Sequence, residues 1–111
     1  MKAVIYLVFD NDKDNYIEDL QRKINHDVKR FMITNVMNPH KSLYNKIENV
    51  FYFKDVTTCL NNVVFILNYL EMFNYTEVLL LNVNKPYTSE ELVYKNILCV
   101  KNEFSIIHNI L

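Results

Sequence analysis

The residues best suited to chemistry in this chain are the polar groups that close its apolar runs. Asp10 and Asp12 follow AVIYLVF, Thr34 and Asn35 close RFMITN, and Asp55 follows VFYFK. Asn82 to Lys85 come after EVLLL, and Lys101 comes after ILCV. If these runs are parallel strands, the groups gather outside the strand carboxyl ends, where α/β sheets hold ligands. Carboxylates are hard oxygen donors, so Asp10, Asp12 and Asp55 are the candidate metal ligands, with Mg²⁺ the ion they suit. Thr34 and Lys85 are the candidate phosphate-binding residues, the lysine neutralising a phosphoryl oxygen. The chemistry so described is divalent-metal phosphoryl transfer or phosphate binding. Asp and Asn after a strand are also good turn and capping residues. The sequence favours that plainer reading, so no catalytic residue is assigned, no cofactor is expected, and an enzyme is the less favoured class.

The chain has no glycine and no tryptophan. A P-loop, a dinucleotide fingerprint and a nucleophile elbow all require glycine for backbone reasons, so none is present in standard form. No Cys-x-x-Cys occurs, and His26, His40 and His108 lack metal-ligand spacing. Backbone positions needing positive φ must fall to Asn or Asp. Richness in Asn, Lys, Ile, Tyr and Phe fits coding from an AT-rich genome, a bias that suggests a viral or parasite source and carries no function.

Short pieces resemble response-regulator receiver domains. AVIYLVFDNDKDN is similar to their first strand and acidic pair, Asp55 falls where their acceptor aspartate lies, and Lys85-Pro86 resembles their lysine–proline segment. That lysine follows a fifth strand in the family and the fourth here, and FKDVTTC departs from the family around the acceptor. The Asp10–Asp12 pair with Thr34 also resembles the haloacid-dehalogenase pattern, but NVNKP has asparagines where its later aspartates belong. The chain is assigned to neither family.

A local basic patch offers a different chemistry. Arg22, Lys23, Lys29 and Arg30 lie at a helix end and the following strand, with His26 between them and His40 and Lys41 further on. Tyr16 and Tyr44 could add base stacking against single-stranded nucleic acid. The net charge of −1 and the interspersed acids favour a solvated face, so nucleic-acid binding is the third reading.

The elements that must position these groups alternate along the chain. Strands are expected over 3–9, 30–36, 50–54 and 77–83, with a fifth over 97–100. A helix over 16–28 has Ile17, Leu20, Ile24 and Val28 at helical spacing, capped by Asp14 or Asn15. A short helix over 41–48 would turn Leu43 and Ile47 inward. Thr57 or Thr58 would cap a long helix to about residue 74. Thr88-Ser89-Glu90-Glu91 reads as a capping sequence opening a short helix through Tyr94. Residues 103–111 form a last helix or an edge strand. Alternating strands and helices with short loops give one compact α/β domain over 1–111, its four- or five-stranded sheet mainly parallel, in flavodoxin/Rossmann-like layering.

The long helix carries more apolar surface than one sheet contact requires. At about 100° per residue, Cys59, Leu60, Val63, Ile66, Leu67, Leu70 and Phe73 gather on the sheet side. The opposite side holds Asn61 and Asn68, but also Phe65 and Met72, with Tyr69 on its flank. Each large apolar side chain left in water forfeits about 1.5–3 kcal/mol of burial. These five residues are therefore the candidate interface, most simply of a two-fold homodimer. Cys59 and Cys99 sit in apolar runs and read as reduced core thiols of an intracellular, cytoplasmic protein. No apolar run is long enough for a membrane span. The favoured function is a small accessory or interaction protein, most simply a homodimer, with another protein partner also open.

Overall fold

The computed structural model describes residues 1–9, 16–24, 27–37 and 47–103. Its centre is β1 (Lys2–Val8), in which every residue after Lys2 is buried. A strand apolar on both faces needs cover on both faces, and β1 has it. It pairs in parallel with β2 (Lys29–Thr34) and with β4 (Glu77–Asn82). β3 (Ile47–Tyr52) extends the sheet beyond β2, also in parallel. The two-residue β5 (Lys95–Asn96) runs antiparallel beyond β4. The order is β3-β2-β1-β4-β5. The result is a small, compact α/β domain with a five-stranded, mostly parallel sheet.

The side-chain alternation of the strands separates two cores. Ala3, Ile5 and Leu7 face Leu60, Val63, Ile66, Leu67 and Leu70. Those residues come from α2 (Val56–Asn61) and α3 (Val63–Met72). Val4, Tyr6 and Val8 face the other way, onto Ile17 and Leu20 of α1 (Ile17–Lys23) and Ile24 just after it. α4 (Ile97–Asn102) joins the first core through Ile97 and Val100. No helix among the described residues is long and apolar enough to cross a membrane.

Several sequence expectations are corrected. The long helix is two helices, broken at Asn62. Its side-chain amide donates to the Thr58 carbonyl at 2.8 Å, while its N–H is shared between Thr58 and Cys59. Asn competes with the backbone for such carbonyls, which disfavours it inside a helix. Asp55, not Thr57 or Thr58, caps α2. Residues 97–100 are helical rather than a strand, because the Asn96 side chain accepts the Leu98 N–H and Ile97 and Val100 share a buried side. Cys99 is therefore exposed, and only Cys59 is a core thiol. Ile47 opens β3 rather than closing a helix, and Leu43 lies outside the described residues. α1 ends at Lys23, because Ile24 is already extended at ψ 138°; Asp14 and Asn15 lie outside the described residues. Thr88 and Glu91 do form a capping box, but around a single 3-10 turn, Ser89–Glu91. Residues 104–111 lie outside the described residues. The turn after α3 follows the sequence reading: Asn74 adopts φ 68° where glycine is usual, closing the helix as Tyr75 N–H returns to the Leu70 carbonyl.

Candidate functional site

Four parallel strands place their carboxyl ends on one side of the sheet. The register sets Val8 beside Thr34, Thr34 beside Tyr52, and Leu7 beside Asn82. The chain continues from β1 to β2 on one side and from β3 across to β4 on the other, so the direction of winding changes between β1 and β4. Ligands of open α/β sheets sit at such a point.

The structure distributes the sequence candidates unevenly around this edge. Thr34 is buried, its hydroxyl donating to the Val8 carbonyl at 2.6 Å and accepting the Val36 N–H at 3.0 Å. That hydroxyl ties the ends of β1 and β2 together. The Asp55 carboxylate accepts both the N–H and the hydroxyl of Thr58, at 2.7 and 2.8 Å. These two hydrogen bonds hold its pKa below the usual carboxylate range. Lys85 is half-buried in a tight turn, its N–H on the Asn82 carbonyl. Asp10 and Asp12 lie outside the described residues. No group of three potential metal ligands occurs among the described residues. Two side-chain acceptors at this edge are buried without a partner, Asn35 Oδ1 after β2 and Asn84 Oδ1 after β4. Buried polar atoms are nearly always satisfied, so these two mark where a donor or cation would be welcome.

The basic residues do not form one open patch. Arg22 and Lys23 both reach Asp19, at 3.5 and 2.9 Å, and Lys23 also donates to the Tyr87 carbonyl. Lys29 lies 3.7 Å from Glu48. Arg30 is in the interior, 2 % exposed, donating through Nε to the Tyr6 hydroxyl and through an NH₂ group to the Val28 carbonyl. Position on β2 explains this: Arg30 alternates with Phe31 and shares the inner face with Met32. Burial pushes the Tyr6 phenol above its ordinary pKa, and the Arg30 hydrogen bond opposes that rise. His26, His40, Lys41 and Tyr44 lie outside the described residues.

The outer side of α3 is the most distinctive surface. Phe65, Met72 and Phe73 are 68 %, 80 % and 54 % exposed. Tyr69 links them to the sheet edge, stacking edge-on against Phe51 at 5.7 Å and tilted against Phe73 at 4.9 Å. Asn61 is exposed at the end of α2. Asn68 and Glu71 form a polar rim, both held by the Lys101 ammonium of α4 at 2.9 and 2.8 Å. Phe73 belongs to this outer surface, not to the sheet side that its angle suggested, because the chain turns out of the helix there.

One feature escapes the sequence altogether. A cleft of about 170 Å³ opens along the outer edge of β4, between Leu80 and Val93. The brevity of β5 creates it, and no residue pattern in LVYKN announces where that pairing stops. No protein-family model matches the chain, and no curated protein and no solved structure matches it either.

Proposed function

We propose that this is a small intracellular interaction protein that works as a homodimer through the outer face of α3, on a flavodoxin/Rossmann-like layered domain. The observation that carries the reading is the contiguous exposure of Phe65, Met72 and Phe73 beside Tyr69. Together the three exposed side chains offer roughly 400 Å² of apolar surface, about half of the roughly 800 Å² per partner in a standard interface. A second copy fits this face because it is nearly its own complement. An antiparallel two-fold axis between Asn68 and Tyr69 sets Phe65 against Met72 of the partner copy and Val64 against Phe73. The polar rim of Asn68, Glu71 and Lys101 is internally neutralised, so two copies meet without like-charge repulsion. Two free thiols support an intracellular, reducing location.

Light scattering is the test. Wild type is expected at twice the chain mass, and Phe65→Glu with Met72→Glu at the monomer mass. A monomeric wild type removes the proposal.

A second reading, cation or phosphate binding at the sheet's carboxyl edge, draws on the unpartnered Asn35 and Asn84 oxygens. Mg²⁺ titration followed by NMR should then shift the amides of residues 35 and 84 together with those of Asp10, Asp12 and Asp55. Silence at these positions leaves them as turn residues.

A further inference from the structure

The pairing of β4 with β5 stops after Val78, and the edge beyond it has a chemical character of its own. In a parallel ladder the backbone groups of successive residues point alternately to the two neighbouring strands. Val83 N–H reaches the Leu7 carbonyl of β1, so the odd-numbered residues of β4 face β1. The even-numbered ones, Val78, Leu80 and Asn82, face outward. Val78 is opposite Lys95 in the antiparallel pair. The outward N–H of Asn82 is met by the Tyr87 hydroxyl at 3.2 Å. Between them, Leu80 should be opposite Val93. Instead the Val93 N–H turns back to the Glu91 carbonyl at 3.0 Å. Among the described residues nothing else meets the outward N–H and C=O of Leu80, which face the cleft, whose walls include Leu79, Leu81, Tyr87 and Val100.

A donor and an acceptor on one extended residue are complementary to one extended residue of another chain, as in any antiparallel bridge. The surroundings limit what that residue is. Lys95 and Tyr94 occupy the next positions toward Val78, so an incoming strand must stop opposite Leu80. The charges set its direction. Lys95 lies at the Val78 end, and Glu91 lies at the Tyr87 end, where its carboxylate is held by Thr88. An antiparallel strand brings its carboxyl end to Lys95, whereas a parallel one would bring an amino end to that ammonium. The cleft volume is below the 300 Å³ or so at which drug-sized ligands and cofactors begin to fit. It has room for a single aliphatic side chain.

We infer that the edge of β4 at Leu80 captures the carboxyl-terminal residue of a partner polypeptide, an aliphatic one. The terminal N–H donates to the Leu80 carbonyl. One carboxylate oxygen accepts the Leu80 N–H, the other faces the Lys95 ammonium, and the side chain enters the cleft. This site is independent of the α3 face, so it stands whether or not the chain dimerises.

The test is NMR titration of ¹⁵N-labelled full chain with acetyl-Ala-Ala-Leu bearing a free carboxylate. Its carboxamide, its N-methyl-leucine analogue and free leucine are titrated alongside. The free acid is expected to shift the Leu80 and Lys95 amides saturably. The carboxamide and the N-methyl peptide should each bind at least ten-fold more weakly. Lys95→Gln, on an exposed two-residue strand, should abolish the preference for acid over amide without altering the fold. The inference is overturned by no saturable shift at Leu80, or by equal binding of the three peptides. Free leucine binding as tightly as the peptide overturns it too, since the site would then read an amino acid rather than a chain end.

Discussion

Cys59 and Cys99 show how far a residue's neighbours, more than its type, decide its chemistry. Cys59 is fully buried on the inner side of α2, and burial, reinforced by the Asp55 charge, pushes its thiol up to about 11. The thiolate is the reactive form, so Cys59 is inert in the folded protein. Cys99 is exposed on α4. Native protein treated with a thiol reagent at neutral pH should label at one site per chain, and Cys99→Ser should leave none until denaturant is added. The same raised value has a stability consequence. The folded state holds this proton more tightly than the unfolded state, whose thiol titrates near 9. The contribution of Cys59 is therefore complete below pH 9 and is lost between about 9 and 11, a loss that Cys59→Ala should remove from the alkaline limb of a pH–stability curve. Asp55 has the opposite sign. Its pKa is held below the usual range by the Thr58 N–H and hydroxyl, so its stabilisation is present above about pH 4 and fades as the pH falls through its folded value. Asp55→Asn, which keeps a capping oxygen without the charge, should flatten the acid limb while lowering the neutral-pH midpoint less than Asp55→Ala does.

The helices and strands were legible in the sequence where periodicity and burial agree. AVIYLVF reads as a strand covered on both faces, and it is the central one. Helical spacing turns seven residues of the 57–74 segment inward, and six of them are buried in one core. What was not legible depends on single hydrogen bonds that no periodicity reports. Asn62 breaks the long helix by taking a carbonyl, Asn96 starts α4 where an apolar run suggested a strand, and Asp55 caps α2 ahead of two threonines. Arg30 likewise looked like part of a basic surface, because charge is visible in a sequence and strand facing only follows from exact register. The weight carried by α3 can be measured. Leu67 is wholly buried against β1, so Leu67→Ala should cost about 2–5 kcal/mol. Asn61→Ala, on an exposed side chain, should stay within about 0.5 kcal/mol. Urea denaturation of both variants with unchanged slope would confirm that α3, and not the α2 terminus, anchors the first core.

At the scale of the molecule, the two faces of α3 make separable demands. The inner face stabilises the fold of each chain, while the outer face lowers the free energy only if something covers it. Burying Phe65, Met72 and Phe73 between copies couples folding to association, and coupled equilibria depend on concentration. For a dimer of two 111-residue chains, a ten-fold increase in protein concentration should raise Tm by roughly 3–5 °C. The double variant Phe65→Glu, Met72→Glu exposes no buried group of the isolated chain, because both side chains are already largely in solvent. Its Tm should therefore be independent of concentration and should meet the wild-type value at high dilution, where wild type is monomeric. A wild-type Tm that does not move with concentration would place the apolar face of α3 outside any self-association. A variant Tm far below that of dilute wild type would show that these residues stabilise the single chain instead.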